Sequence, residues 1–103
     1  MGLLTNLFCR ESEVVRKAGR AEGRVQKVGF RVFVRNTARA FGLTGWVKNM
    51  NDGSVAMELQ GSPKIIEQVI DKIKTGRGRI QVTNLELADM PAVEGEDKFA
   101  IRK

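Results

Sequence analysis

The chain has 103 residues, 42% of them hydrophobic and 29% charged, with a net charge of +6. That length supports one domain burying roughly 65% of its unfolded surface, and the composition is that of a folded globule rather than a disordered tail. There is no histidine and a single cysteine, Cys9, which excludes histidine catalysis, a histidine-built metal centre and an internal disulfide.

Residues 1–12 read as a frayed extension ahead of a domain spanning 13–103. The mildly apolar opening from Met1 to Cys9 lacks the basic start and full apolar core of a cleaved leader. Gly2 lacks the Ser or Thr at position 6 that myristoylation wants, since Asn6 stands there. No apolar run approaches the ~20 residues needed to cross a bilayer, so no membrane contact is expected, and the single Cys9 fits a reducing cytoplasm. Val14 to Glu22 must supply the first strand, although Arg16, Lys17, Gly19 and Arg20 make it a poor one. From Phe30 to Phe41 the residues Phe30, Phe33, Val34, Ala38 and Phe41 recur at helical spacing, and Gly42 gives the stop.

Leu43 to Met50 predicts a strand, and Asn51-Asp52-Gly53 a turn into a second strand from Ser54 to Gln60. Val55, Met57 and Leu59 alternate there with polar or small residues, so one face is to be buried. Ser62 is an N-cap with Pro63 at the first helical position, and Ile65, Ile66, Val69, Ile70 and Ile73 line one helix face, closing near Lys74 and Gly76. Ile80 to Ala88 reads as a strand with Val82, Leu85 and Leu87 as core candidates. A turn region from Pro91 to Asp97 precedes a last strand, Lys98 to Arg102. The order βαββαβ plus one C-terminal strand points to an α+β, ferredoxin-like two-layer sandwich, an antiparallel sheet covered by two helices. Such a scaffold hosts many functions, so it decides none.

The positive charge is unevenly placed: residues 1–40 hold 9 basic and 3 acidic side chains, residues 41–103 hold 9 and 9. The surplus coincides with Gly23-Arg24-Val25-Gln26-Lys27-Val28-Gly29-Phe30-Arg31, a glycine-bearing segment that feeds the first helix. Backbone N–H groups left free at such a helix start attract anions, and Arg31 adds a planar fork of donors suited to two oxygens of one phosphate. Arg31, Arg35 and Arg39 fall four apart, where like charges cost a few tenths of a kcal/mol per pair. Such a surplus also fits contact with nucleic acid, but for charge alone a solvated basic face is the favoured reading. Against nucleic acid, the chain lacks the paired aromatics on a central strand that base stacking wants. Nor does a Lys-Ser/Thr pair follow the second glycine, as a Walker-type nucleotide loop requires.

The segment Gly23 to Arg31 resembles the first signature of the acylphosphatase family, G-R-V-Q-G-V-G-F-R. The second signature is matched by Gly45, Trp46, Val47, Lys48 and Asn49, then Gly53, Val55 and Gly61. The two motifs stand in order, with Arg31 and Asn49 eighteen positions apart, and the resemblance covers Val14 to Lys103. It implies hydrolysis of the carboxyl–phosphate anhydride of small acyl phosphates, without metal or cofactor. By position, Arg31 and the N–H groups of Val25, Gln26, Lys27, Val28, Gly29 and Phe30 would bind the substrate phosphate, and Asn49 would hold the attacking water. Inorganic phosphate or sulfate would settle in the same seat, and a monomer is expected. An acyl phosphate carries a good leaving group, so positioning and charge neutralisation supply most of the acceleration and no side-chain base is needed.

Each residue also has a plainer reading. Arg31 also reads as a solvent-facing helix start, Asn49 as a turn residue, Ser54 as either a water contact or a strand start, and Trp46 as core or groove lining. The departure that matters is Lys27, where the family has glycine; a side chain in the left-handed region costs ~1–2 kcal/mol. Two outcomes follow: the loop shifts and activity falls, which the exposed lysine's small electrostatic gain favours, or the backbone keeps its shape and the ammonium adds attraction for phosphate. The first outcome sustains an alternative function, a phosphate-binding module with weak or no turnover. Ala21, where the family has a larger aliphatic, further weakens the first strand.

Overall fold

The computed structural model of the chain describes residues 13–103. The expected extension over 1–12, with Cys9, lies outside the described residues. In chain order the elements are β1 (Val15–Arg24), α1 (Phe30–Ala40), β2 (Thr44–Asn49), β3 (Val55–Gly61), α2 (Pro63–Thr75), β4 (Gln81–Met90) and β5 (Phe99–Arg102).

They form one five-stranded sheet in the order β4-β1-β3-β2-β5. The pairs β1–β3, β1–β4 and β2–β3 are antiparallel, whereas β5 runs parallel to β2. The sheet is therefore mixed, and the expectation of a wholly antiparallel one is corrected at this edge. The reason is directional. β4 runs against β1, the chain then crosses to the opposite edge of the sheet, and β5 returns in the sense of β1 and β2.

α1 packs on β2 and β5, and α2 packs on β3 and β4 and against α1. The apolar stripe of α1 buries Phe30, Val34 and Ala38, and that of α2 buries Ile66, Val69, Ile70 and Ile73. They meet Ala21, Val47, Val55, Met57, Leu59 and Phe99 from the sheet. Each fully buried side chain of this size contributes ~1.5–3 kcal/mol. α2 starts as its residues dictate: the Ser62 hydroxyl accepts from the Ile65 N–H at 3.3 Å, with Pro63 in the first turn.

Two expectations about strand faces need correction. Ser54 and Gln60, read as the polar side of β3, are also buried, because Arg20 and Arg16 from β1 lie over them. Leu87 is 41% exposed, and Val82 and Leu85 only pack against the margin of the core. β4 is an edge strand, covered from one flank only. Its register shifts between Glu22 and Gly23, leaving Thr83 as an extra residue, so Val82 and Leu85 reach the same face although three positions apart. Trp46 lies outside the buried core; it pairs across from Glu58 and Ala100, half-buried, with the Arg102 guanidinium 4.8 Å from its ring centre.

Candidate active site

The loop between β1 and α1 is pinned at both ends by side chains sunk in the core, Val25 and Phe30, each 1% exposed. Only the backbone of these two is available to a ligand, while Gln26 to Gly29 span the gap between them. Gly23, next to the end of β1 and just before the loop, stands at φ 119°, where a Cβ would sit 2.3 Å from the Gln81 carbonyl oxygen, so no other residue fits that crossing. Gly29 closes it at φ 79° as the N-cap of α1, and no side chain caps the helix there. The first helical bond runs from the Phe33 N–H to the Gly29 carbonyl at 3.0 Å, which leaves the amides ahead of Phe33 without an intrahelical acceptor. No acidic residue stands in the first turn. This end of α1 is a donor-rich, electropositive terminus of the kind that receives anions.

Lys27 stands at φ 64° and is the one non-glycine residue of positive φ among the described residues. The backbone at this position is thus left-handed despite the side chain, the conformation a glycine would take most easily. The strain is borne at Lys27 itself, at ~1–2 kcal/mol.

Arg31 lies in the first turn of α1, half-buried. The three arginines spaced four apart on this helix prove unequal. Arg39 Nε donates to the Phe99 carbonyl at 3.1 Å and Arg35 Nε to Asn36 Oδ1 at 3.3 Å, so both serve local structure. No side chain among the described residues pairs with Arg31.

Asn49 ends β2 opposite Val55. Its Oδ1 is buried with no hydrogen-bond partner among the described residues. A buried acceptor left unpaired costs ~1–3 kcal/mol and calls for an explanation, commonly a water or a catalytic role. The turn that follows is fixed independently of it. The Met50 N–H donates to the Ser54 carbonyl at 2.8 Å, and the Asp52 carboxylate accepts from the Ser54 N–H at 3.0 Å and hydroxyl at 2.6 Å. Those two donors, with Arg20 alongside, hold the Asp52 carboxyl below the usual range. The Ser54 hydroxyl also accepts from Arg20 Nε at 3.2 Å, so Ser54 helps to close the turn.

One side chain ties the two halves of the site together. Gln26 Nε2 donates to both the Met50 and the Ser54 carbonyls, each at 2.8 Å. The anion loop is thereby fastened to the end of the hairpin that carries Asn49. Sequence reasoning placed Gln26 here only for its amide N–H; its side chain makes the more specific contribution, and only the long-range pairing reveals it.

Known proteins resemble this chain over most of its length. A family model described as acylphosphatase matches residues 17–101. An acylphosphatase of Clostridium beijerinckii is 39% identical over 89 residues, which is 86% of this chain and 99% of that protein. The crystal structure of acylphosphatase from Bacillus subtilis is similar with a TM-score of 0.82 at 32% identity, over 86% of this chain and 99% of that one. The structure of an acylphosphatase from Coxiella burnetii gives 0.81 at 30% identity, over 89% and 96%. No helix among the described residues is long and apolar enough to cross a membrane.

Proposed function

The chain belongs to the acylphosphatase family of acid-anhydride hydrolases, and from that premise we propose that Arg31 and the amides from Val25 to Phe30 bind the phosphoryl group of a small acyl phosphate while Asn49 orients the attacking water. The observation that carries this reading is the buried, unpartnered Asn49 Oδ1 at the end of β2. It is an acceptor without a donor, held by Gln26 beside a loop of donors without acceptors. A water donating one hydrogen to Oδ1 turns its lone pair toward a phosphoryl group seated on those amides.

In the reaction the water oxygen forms a bond to phosphorus and the phosphorus–oxygen bond to the acyl group breaks. The carboxylate leaves with the electron pair. A phosphoryl oxygen takes the water's proton, which suits a chain without histidine. Arg31 and the amides neutralise the charge on the equatorial oxygens as it grows, and neither Arg31 nor Asn49 forms a covalent bond to substrate. The chain acts as a monomer, and inorganic phosphate, the product, competes for the same seat.

The left-handed backbone at Lys27 supports turnover over the alternative of a binding module, because the cradle keeps the conformation for which the family uses glycine. Release of carboxylate from benzoyl phosphate tests the reading. The native chain is expected to turn over, and Arg31→Ala and Asn49→Ala each to fall by at least ~100-fold. Binding of phosphate without turnover in the native chain would select the module instead.

A further inference from the structure

Along the other flank of the loop, away from Asn49, Lys27, Val28 and Gly29 form one end of a cavity of about 690 Å³. Its floor carries Val32 and Phe33 from α1 and Phe41 just past the end of that helix, beside the polar Asn36 and Thr37, and its rim carries four cations: Lys27, Lys72, Arg77 and Arg79. No carboxylate lines it; Asp71 lines a separate depression shared with Lys72 and Arg77. None of the four cations is ion-paired among the described residues.

The four cations are exposed, and the backbone that carries them is ordered. Lys72 Nζ stands 5.8 Å from the ring centre of Phe41. Arg77 and Arg79 sit on a turn closed by the Ile80 N–H, which donates to the Arg77 carbonyl at 3.1 Å, and Ile80 itself is buried. Lys27 keeps its long cationic side chain at a backbone conformation that glycine would occupy without strain. A strained residue at one end of a groove, and an unneutralised ring of charge around the rest, are two separate observations pointing to one kind of ligand.

We propose that this groove receives the acyl end of the substrate and selects acyl phosphates that carry a second anionic group, with Lys27, Arg77 and Arg79 setting that preference. The inference rests on the phosphoryl seat described above. Its size is that of a small-molecule pocket, much more than an acetyl group needs. A partly apolar floor under a cationic rim suits a short carbon chain ending in a carboxylate or phosphate.

The test compares kcat/KM for succinyl phosphate and acetyl phosphate on the full chain, at low and at high salt. The native chain is expected to favour succinyl phosphate about ten-fold at low salt, the effect of two or three exposed ion pairs, and less in 1 M salt. In the double variant Arg77→Glu, Arg79→Glu the ratio falls to one or below; both side chains are exposed, so the fold is kept. A native ratio near one, or a ratio unmoved by the charge reversal, would overturn the proposal. Loss of acetyl phosphate hydrolysis in Arg31→Ala would still uphold the phosphoryl seat in that case. Turnover of neither compound by the native chain would remove both.

Discussion

At Lys27 a single side chain meets two demands that pull apart. The loop needs a left-handed residue, and the groove beside it gains a cation from a lysine. Glycine relieves the first at the expense of the second, and alanine removes the charge while leaving the strain. Lys27→Gly is therefore expected to raise unfolding stability by ~0.5–1 kcal/mol, the left-handed penalty less the extra chain entropy of glycine, whereas Lys27→Ala leaves it nearly unchanged. Urea midpoints at constant slope measure both. Equal effects of the two substitutions would mean that the backbone at Lys27 is not strained in solution. Arg31 shows the same economy of position: of three arginines on one helix, it is the one whose guanidinium no described neighbour engages.

Among the elements, the β2–β3 hairpin and the β1–α1 loop act as one unit because Gln26 donates to two carbonyls of the hairpin. Gln26→Glu keeps the shape but turns the donor into a carboxylate facing the Met50 and Ser54 carbonyl oxygens. A loss of ~10–100-fold in kcat is expected, larger than any change in KM, because Asn49 and the loop lose their fixed separation while the amides remain. Steady-state kinetics on benzoyl phosphate check this, and an unaltered kcat would mean that the hairpin is positioned by other contacts. The hairpin and both helices were legible in the sequence because their signals are local: the Asn51-Asp52-Gly53 turn, the alternation of Val55, Met57 and Leu59, Ser62-Pro63 as a helix start, and apolar residues at helical spacing. β1 was poorly legible because its signals are not. Arg16 is 2% exposed, yet what permits this stands far along the chain: Glu58, Gln60 and Glu96 accept from it at 2.8 to 3.2 Å. Gly19 looks like a strand breaker until Met57 and Leu87 are seen filling the space its side chain would occupy. The candidate site residues were named from two motifs, but the pairing of Gln26 with the hairpin and the cationic rim at Arg77 and Arg79 depend on tertiary approach that no local pattern encodes.

For the molecule as a whole, the sheet face away from the helices is held by charge rather than by a second layer. Arg16 joins β1, β3 and the connection before β5 through Glu58 and Glu96. The two hydrogen bonds it donates to Glu96 hold that carboxyl below its ordinary value, and the bonds in turn hold the guanidinium above its own. A carboxyl with a depressed folded-state pKa stabilises the fold fully above its unfolded value of about 4.5 and loses that contribution as the pH falls through the folded value. Stability is thus expected to drop as the pH falls below 4.5, and Glu96→Gln to flatten that drop while lowering stability near neutrality. Arg16→Ala, which strands two carboxylates against the sheet, costs about 3 kcal/mol. Urea unfolding from pH 3 to 7 reads both, and a pH profile in Glu96→Gln as steep as the native one would exclude this pair as the acid-sensitive contact. The division of labour between Arg31 and Asn49 is tested most directly by measuring inorganic phosphate affinity and kcat side by side in the two alanine variants. Asn49→Ala should bind phosphate within about two-fold of the native chain while kcat falls at least ~100-fold, and Arg31→Ala should lose both. An Asn49→Ala variant that binds phosphate poorly but keeps its kcat would contradict the assignment of this residue to the water.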